Sequence, residues 1–159
     1  MHIGIIFYSF SRHTLKVAKK LKEQLISYGY EAGLEQLEPA EPFHLTAPVA
    51  ELKSIPAISQ YDALILASPV HGGRMAGPMA GFLENIPSLN NKPVFCLATH
   101  FLPYSMGGRQ MIDLMKDACE SNGAKIMGFG NVPRLSFRRN IYITKIVDTL
   151  KNQLPAKSV

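Results

Sequence analysis

His2-Ile-Gly-Ile-Ile-Phe-Tyr-Ser-Phe-Ser-Arg-His-Thr14 is the stretch on which the reading of the fold turns. Residues 2–8 form an almost unbroken apolar run, as in a strand covered on both faces of a parallel sheet. From Thr14 to about residue 28 the period changes. Leu15, Ala18, Leu21 and Leu25 recur at helical spacing, with Lys16, Lys19, Lys20, Lys22 and Glu23 between them and Gly29 to close. The lysines read as a solvated face. Between strand and helix stand Ser9, Ser11, Arg12, His13 and Thr14. The first N–H groups of a helix have no partner within it and carry partial positive charge, so hydroxyls and cations gathered there can hold a phosphate. Ser and Thr also precede helices simply to cap them. The stretch alone leaves both readings open. It is neither a G-x-x-x-x-G-K-S/T loop nor a G-x-G-x-x-G turn.

Outward from that junction the pattern repeats. Residues 31–37 alternate and are more polar, as an edge strand would be. Residues 39–56 carry prolines at 39, 42, 48 and 56 and read as a loop with a short helix over 49–55. Buried strands are predicted at 63–68, 93–98 and 125–132. Helices are predicted after residue 78 (Met79, Phe82, Leu83 and Ile86 inward), over 109–121 (Met111, Met115, Ala118, Cys119) and over 140–154 (Ile143, Ile146, Val147, Leu150). Asn122-Gly123 ends the second of these. Alternating strands and helices with right-handed crossovers imply an α/β three-layer sandwich. Its five-stranded parallel sheet takes the order 2-1-3-4-5.

Composition narrows the classes. The chain has 159 residues, 47% of them hydrophobic and 18% charged, which suits one globular domain over 1–159. No apolar run is long enough to span a bilayer, and the start reads as a strand rather than a signal peptide, so membrane insertion is not expected and the chain reads as cytoplasmic. Cys96 and Cys119 lack metal-ligand or C-x-x-C spacing and read as buried thiols. A net charge of +5 favours anionic ligands or acidic partners but is too small to argue nucleic acid. No carboxylate pair or nucleophile–base arrangement supports hydrolytic chemistry, and no catalytic residue or metal ligand is assigned.

Ligands of open parallel sheets bind beyond the carboxyl ends of the strands. Loops 9–14, 69–78 and 99–108 all follow strands and emerge at that end, from strands that are neighbours in the expected order. In the second, Pro69, Val70, His71, Gly72 and Gly73 offer backbone that can approach a flat ligand closely. The third holds Thr99, His100, Phe101, Tyr104, Gly107 and Gly108. Tyr104 and Phe101 could stack on a ring or anchor the loop. His71 and His100 could pass protons or serve the structure. The basic stretch 133–139, with Arg134, Arg138 and Arg139, lies at the same end and reads either as a solvated loop or as an attractor for an anionic ligand or an acidic protein.

The chain resembles the flavodoxin family over nearly its whole length. Ser68-Pro-Val-His-Gly-Gly-Arg-Met-Ala-Gly-Pro-Met79, followed by Phe82-Leu83, is similar to the second FMN loop of the flavodoxin-like NAD(P)H:quinone reductases related to the tryptophan-repressor-binding protein. Residues 9–13 resemble that group's S-x-x-G-H and the flavodoxins' S/T-x-S/T-G-x-T, and Met106-Gly-Gly108 resembles the H-G-G closing their third loop. The resemblance implies non-covalent FMN. It implies Ser9, Ser11, His13 and Thr14 at the phosphate, Val70, Gly72 and Gly73 beside the ring, and the ring held by 69–74 and 99–108. Arg12 stands where the family has glycine, so it either strains the loop or pairs with the phosphate. The chain is shorter than the quinone reductases and basic where typical flavodoxins are acidic. The expectation is an FMN-dependent oxidoreductase or electron-transfer flavoprotein, with NAD(P)H as a candidate donor and a quinone-like molecule or a protein as redox partner; a homodimer is left open. The alternative is a flavodoxin-fold binding or regulatory module that has lost FMN and holds another phosphate ligand or a protein.

Overall fold

The apolar runs become strands because each can bury both faces. In the computed structural model, which describes residues 1–134 and 137–154, the order is β1 (His2–Phe7), α1 (His13–Ser27), β2 (Glu31–Gln36), β3 (Ala63–His71), β4 (Arg74–Met75), α2 (Gly77–Asn85), β5 (Pro93–His100), α3 (Gly108–Ser121), β6 (Lys125–Pro133) and α4 (Arg139–Gln153). The parallel sheet runs β2-β1-β3-β5-β6, with β4 pairing β3 alone. Apart from that two-residue addition, this is the expected five-stranded order, and β2 is indeed an edge. Residues 135–136 of the basic stretch and the end of the chain, 155–159, lie outside the described residues.

Strand alternation splits the apolar runs into two cores. Ile3, Ile5, Phe7, Ile65 and Leu97 pack with Val17, Leu21 and Leu25 of α1 and Ile143, Val147 and Leu150 of α4. Ile6, Leu64, Leu66, Val94 and Cys96 pack on the opposite face with Met79 and Phe82 of α2 and Met111 and Met115 of α3. Cys96 and Cys119 are buried free thiols, as expected. Two strand glycines serve this packing. Gly4 and Gly33 are register partners, and the Tyr61 ring fills the slot they leave. The Tyr61 hydroxyl donates to Glu35 Oε1 at 2.7 Å, and burial with that carboxylate pushes its pKa up to about 12.

Three expectations are corrected. No helix forms over 49–55. Instead Ala40 N–H donates to Glu51 O (2.8 Å) and Lys53 N–H to Glu38 O (2.9 Å), around an antiparallel bridge between Pro39 and Leu52. This segment then lies against α2. Ala50 N–H donates to Gly77 O, and a Cβ on Gly81 would stand 2.0 Å from the Ala50 carbonyl oxygen. Nor is 69–78 an irregular loop. β3 continues to His71, and Gly72 (φ 58°) and Gly73 (φ 76°) turn it into β4 with Val70 opposite Met75 and His71 opposite Arg74. A two-residue hairpin whose central residues both have positive φ is a type I′ turn, for which Gly-Gly is well suited. β5 likewise runs two residues past Ala98, which carries Thr99 and His100 out of the loop and into the strand.

Candidate functional site

The site is built where β1, β3 and β5 end. α1 begins immediately after the turn from β1, and its N-cap residue is Arg12, held left-handed at φ 63° with no side-chain cap. Ser9 supplies the cap instead: Leu15 N–H donates to Ser9 Oγ at 3.2 Å. The hydroxyl of Thr14, buried in the first turn, meets that of Thr99 at 2.7 Å, which locks α1 to the end of β5. His13 is also buried. Its Nε2–H donates to the Val132 carbonyl of β6 at 3.3 Å, so its Nδ1 carries the lone pair, and no described residue partners that atom. Burial, with opposition from the Val132 bond and further lowering by Arg139, Arg134 and His100, holds His13 below the usual histidine range and therefore neutral at pH 7. An anion placed against Nδ1 would meet a lone pair unless that nitrogen took a proton.

Ser68, fully buried at the bend of β3, accepts from Ala76 N–H at 2.9 Å and so ties the far side of the β3–β4 hairpin to the start of α2. His71 stands on that hairpin with its ring edge-on to Tyr8 and Phe10, at 6.4 and 6.1 Å between centroids. Burial lowers its pKa, and its Nδ1 has no partner among the described residues. His100 is satisfied by the protein: Nδ1 bonds Leu102 O at 2.6 Å and Nε2 meets the Asn131 amide at 2.8 Å. Loop 101–107 reaches back to the hairpin, for a Cβ on Gly107 (φ 98°) would stand 2.9 Å from Gly73 Cα.

Between these elements lies a cavity of about 220 Å³. Of the expected site residues, Ser11, His13, Thr14, Pro69, Val70, His71, Thr99, His100 and Phe101 line it. Gly72 lines a smaller one of about 90 Å³ that shares Leu45 and His71 with the first. Ser9 Oγ accepts the Leu15 N–H and keeps its own O–H to donate, and Arg12 is exposed beside the loop. Gly73, Gly107, Gly108 and Tyr104 form the supporting layer. A Cβ on Gly73 would meet Gln110, and the Tyr104 ring lies over Gly108, 5.9 Å from that of His100. Sequence reasoning missed Phe10 and Leu45 in the lining. Phe10 sat in plain view among the hydroxyls, whereas Leu45 comes from an irregular segment that gives no periodic signal. Arg134, taken from the basic stretch, lines the cavity too and lies over the Phe101 ring at 5.7 Å.

A larger cleft, about 900 Å³, opens at the opposite end of the sheet between residues 55–62 and 85–93. Its charged groups are occupied: the Lys92 ammonium donates to the Tyr61 carbonyl and the Asp62 carboxylate accepts from His2 N–H. The carboxyl end, with two unpartnered buried imidazole nitrogens and a helix N-terminus, is the better candidate. No cluster of metal-ligating side chains occurs among the described residues.

The sequence model of the NADPH-dependent FMN reductase family matches residues 1–132. Oxidised flavodoxin 1 from Bacillus cereus superposes with a TM-score of 0.72 at 15% identity, over 98% of this chain and 100% of that one. A flavoprotein from Lactobacillus acidophilus, in complex with FMN, gives 0.64 at 17% identity over 89% and 97%. The two-electron reduced flavodoxin of Megasphaera elsdenii gives 0.66 at 12% over 94% and 98%. At these identities the likeness speaks for the fold. No curated protein matches the sequence.

Proposed function

We propose, from the premise that this chain belongs to the NADPH-dependent FMN reductase family, that it binds FMN at the carboxyl end of its sheet and reduces a quinone-like acceptor with electrons from NAD(P)H. That it is an FMN-binding, flavodoxin-like oxidoreductase follows from the family. Donor, acceptor and residue roles are the proposal.

One observation carries it. The N-terminus of α1, with His13 and Thr14 in its first turn, and the glycine hairpin 70–75 border one cavity at the sheet's switch point. The residues fit the group. His13 and Thr14, in the first turn of α1, have backbone N–H groups with no carbonyl partner inside the helix, and the hydroxyl of Ser11 lines the cavity beside them. These are donors for a phosphate. At about 220 Å³ the cavity is smaller than a typical whole-ligand pocket of roughly 300–1,000 Å³, so it would enclose part of the cofactor. The ring would lie along Val70, Gly72 and the exposed face of Phe101.

When bound, the flavin would supply the electron transfer chemistry. The chain's part is to hold and to exclude water. Thr14 and Thr99 fix α1 against β5, and Ser68 fixes the hairpin, so both sides of the site sit on rigid elements. His71, desolvated and lining the cavity, is the imidazole placed to exchange a proton with a reduced acceptor. His100, with both nitrogens engaged, positions loop 101–107 rather than moving protons.

The test is anaerobic addition of NADPH, then NADH, to the FMN-loaded protein, followed by a quinone. Bleaching of the flavin and its return with quinone support the reading, whereas a bound flavin that neither nucleotide reduces would leave a carrier. The second reading, a module that has lost FMN, is favoured by Arg12, which holds a left-handed conformation where the resembled family has glycine. A protein that takes up no FMN would favour it.

A further inference from the structure

The chain contains six arginines, at 12, 74, 109, 134, 138 and 139. All of them lie at the carboxyl end of the sheet: beside β1, in the β3–β4 hairpin, at the start of α3 and between β6 and α4. The segments 8–13, 69–77, 99–109 and 133–139 contain no lysine, aspartate or glutamate. The nearest acids are at the β2 edge and inside α3. Glu38 is engaged by Lys53 at 3.4 Å, and Glu41 and Asp113 are exposed. Lysines, by contrast, occur within or beside helices, at the opposite end and, as Lys53, at the β2 edge, where it is paired with Glu38.

Much of this placement works against folding. Arg12 and Arg138 are the N-caps of α1 and α4, Arg139 is the first residue of α4, and Arg109 is the second of α3. None of these helices has an acidic residue in its first turn. Helix N-termini favour anions, so cations there destabilise, and local choices that oppose stability mark function. A flavin phosphate would neutralise about two of these charges. Most would remain.

The centre of the same face is apolar and uncovered. Phe10, Phe101, Leu102 and Met106 are each more than half exposed, and Leu102 and Met106 do not line the cavity. A small molecule inside the cavity therefore leaves them in water. Aromatic residues, methionine and arginine, with lysine and carboxylates depleted, are the composition of the buried centre of protein–protein interfaces. A nucleic-acid backbone would draw lysine as well as arginine.

We propose that this arginine-ringed face docks an acidic protein over the cofactor end, its carboxylates meeting Arg74, Arg109 and Arg134 around the apolar centre formed by Leu102 and Met106. The inference rests on the flavin reading only for what the partner approaches. Arginine suits the role because its planar fork pairs bidentately with carboxylates and is more weakly hydrated than an ammonium. The charge would steer the encounter, and Leu102 and Met106 would supply the area that leaves water.

The test uses FMN-loaded protein and two probes of opposite charge, an acidic 2Fe–2S ferredoxin and basic cytochrome c. Binding is measured at about 20 and about 200 mM salt, across which exposed charges become screened. The ferredoxin is expected to bind at low salt and to weaken about tenfold or more at high salt, while cytochrome c does not bind. The double variant Arg74→Gln/Arg109→Gln should lose about tenfold in ferredoxin affinity, and Arg74→Lys/Arg109→Lys should keep most of it. FMN uptake by both variants is measured alongside, so that failure of the flavin site shows separately. Ferredoxin binding no tighter than that of cytochrome c overturns the proposal. So does a glutamine variant that keeps ferredoxin binding but weakens NADPH, which would assign the arginines to a dinucleotide.

Discussion

Replacing Arg12 by glycine separates backbone strain from charge. Arg12 sits at φ 63°, ψ −4°, a conformation that costs a residue with a Cβ roughly 1–2 kcal/mol. Glycine removes that cost but returns roughly 0.5–1 kcal/mol through the entropy of its unfolded chain. The net gain for the cofactor-free protein is therefore roughly 0–1.5 kcal/mol, centred on about 0.75, or about 1.5–3 °C in Tm at that centre for a chain of this size. The guanidinium is exposed, so its contact with a bound phosphate should fall near the low end of the roughly 1.5–3 kcal/mol typical of charged hydrogen bonds, about tenfold in Kd. Arg12→Gly should thus fold more stably and bind FMN about tenfold more weakly. Arg12→Ala, which removes the same charge but keeps a Cβ at positive φ, should bind as weakly and show a smaller gain in Tm than Arg12→Gly. Thermal unfolding by circular dichroism and titration of FMN fluorescence give both numbers. A lower Tm for Arg12→Gly would refute the strain argument, and unchanged FMN affinity would refute the phosphate contact.

Other expectations follow from single contacts. A Cβ at position 4 would stand 2.5 Å from the Tyr61 ring, so Gly4→Ala must push that ring off its slot and should cost about 1–3 kcal/mol in urea unfolding; a change below a few tenths would mean the slot is loose. Thr99→Val keeps the volume but leaves the buried Thr14 hydroxyl without its partner at 2.7 Å, a loss of about 1–3 kcal/mol, with faster amide exchange in the first turn of α1. His13 and His71 are both held below their unfolded value of 6.5, so the folded state binds fewer protons and stability is complete above that value. The cofactor-free protein should lose stability as pH falls below 6.5 towards the two folded pKa values, and His13→Gln should flatten the lower part of a Tm–pH profile. FMN should reverse the sign at His13, taking up a proton at Nδ1 and binding more tightly as pH falls, an effect the same variant should remove.

How much could be read from the chain depended on whether its signal was local. Residues 2–8, 63–68 and 93–98 announced doubly covered strands because both faces are apolar, and the strand order followed from crossover rules. The meeting of three loops at one end came from that order. The hairpin at Gly72-Gly73 was invisible as a hairpin because its returning strand is only Arg74–Met75, too short for an alternating pattern. The helix expected over 49–55 failed because residues 38–40 offered an extended partner that no local periodicity announces. Ser9 and Ser11 look alike in sequence, yet one caps Leu15 and the other lines the cavity. The partners of His13 and Thr14, at Val132 and Thr99, lie 119 and 85 residues away, which no spacing rule reaches.

The central claim is that the carboxyl end of this sheet holds FMN. The most direct measurement is the visible absorption spectrum of the purified protein, before and after incubation with FMN and removal of the excess. Flavin bands at near-stoichiometric occupancy are expected, red-shifted or structured relative to free FMN, and abolished in Thr14→Val/His13→Ala. A protein that stays colourless after reconstitution would contradict it, and the same face would then have to be read as a site for another anion.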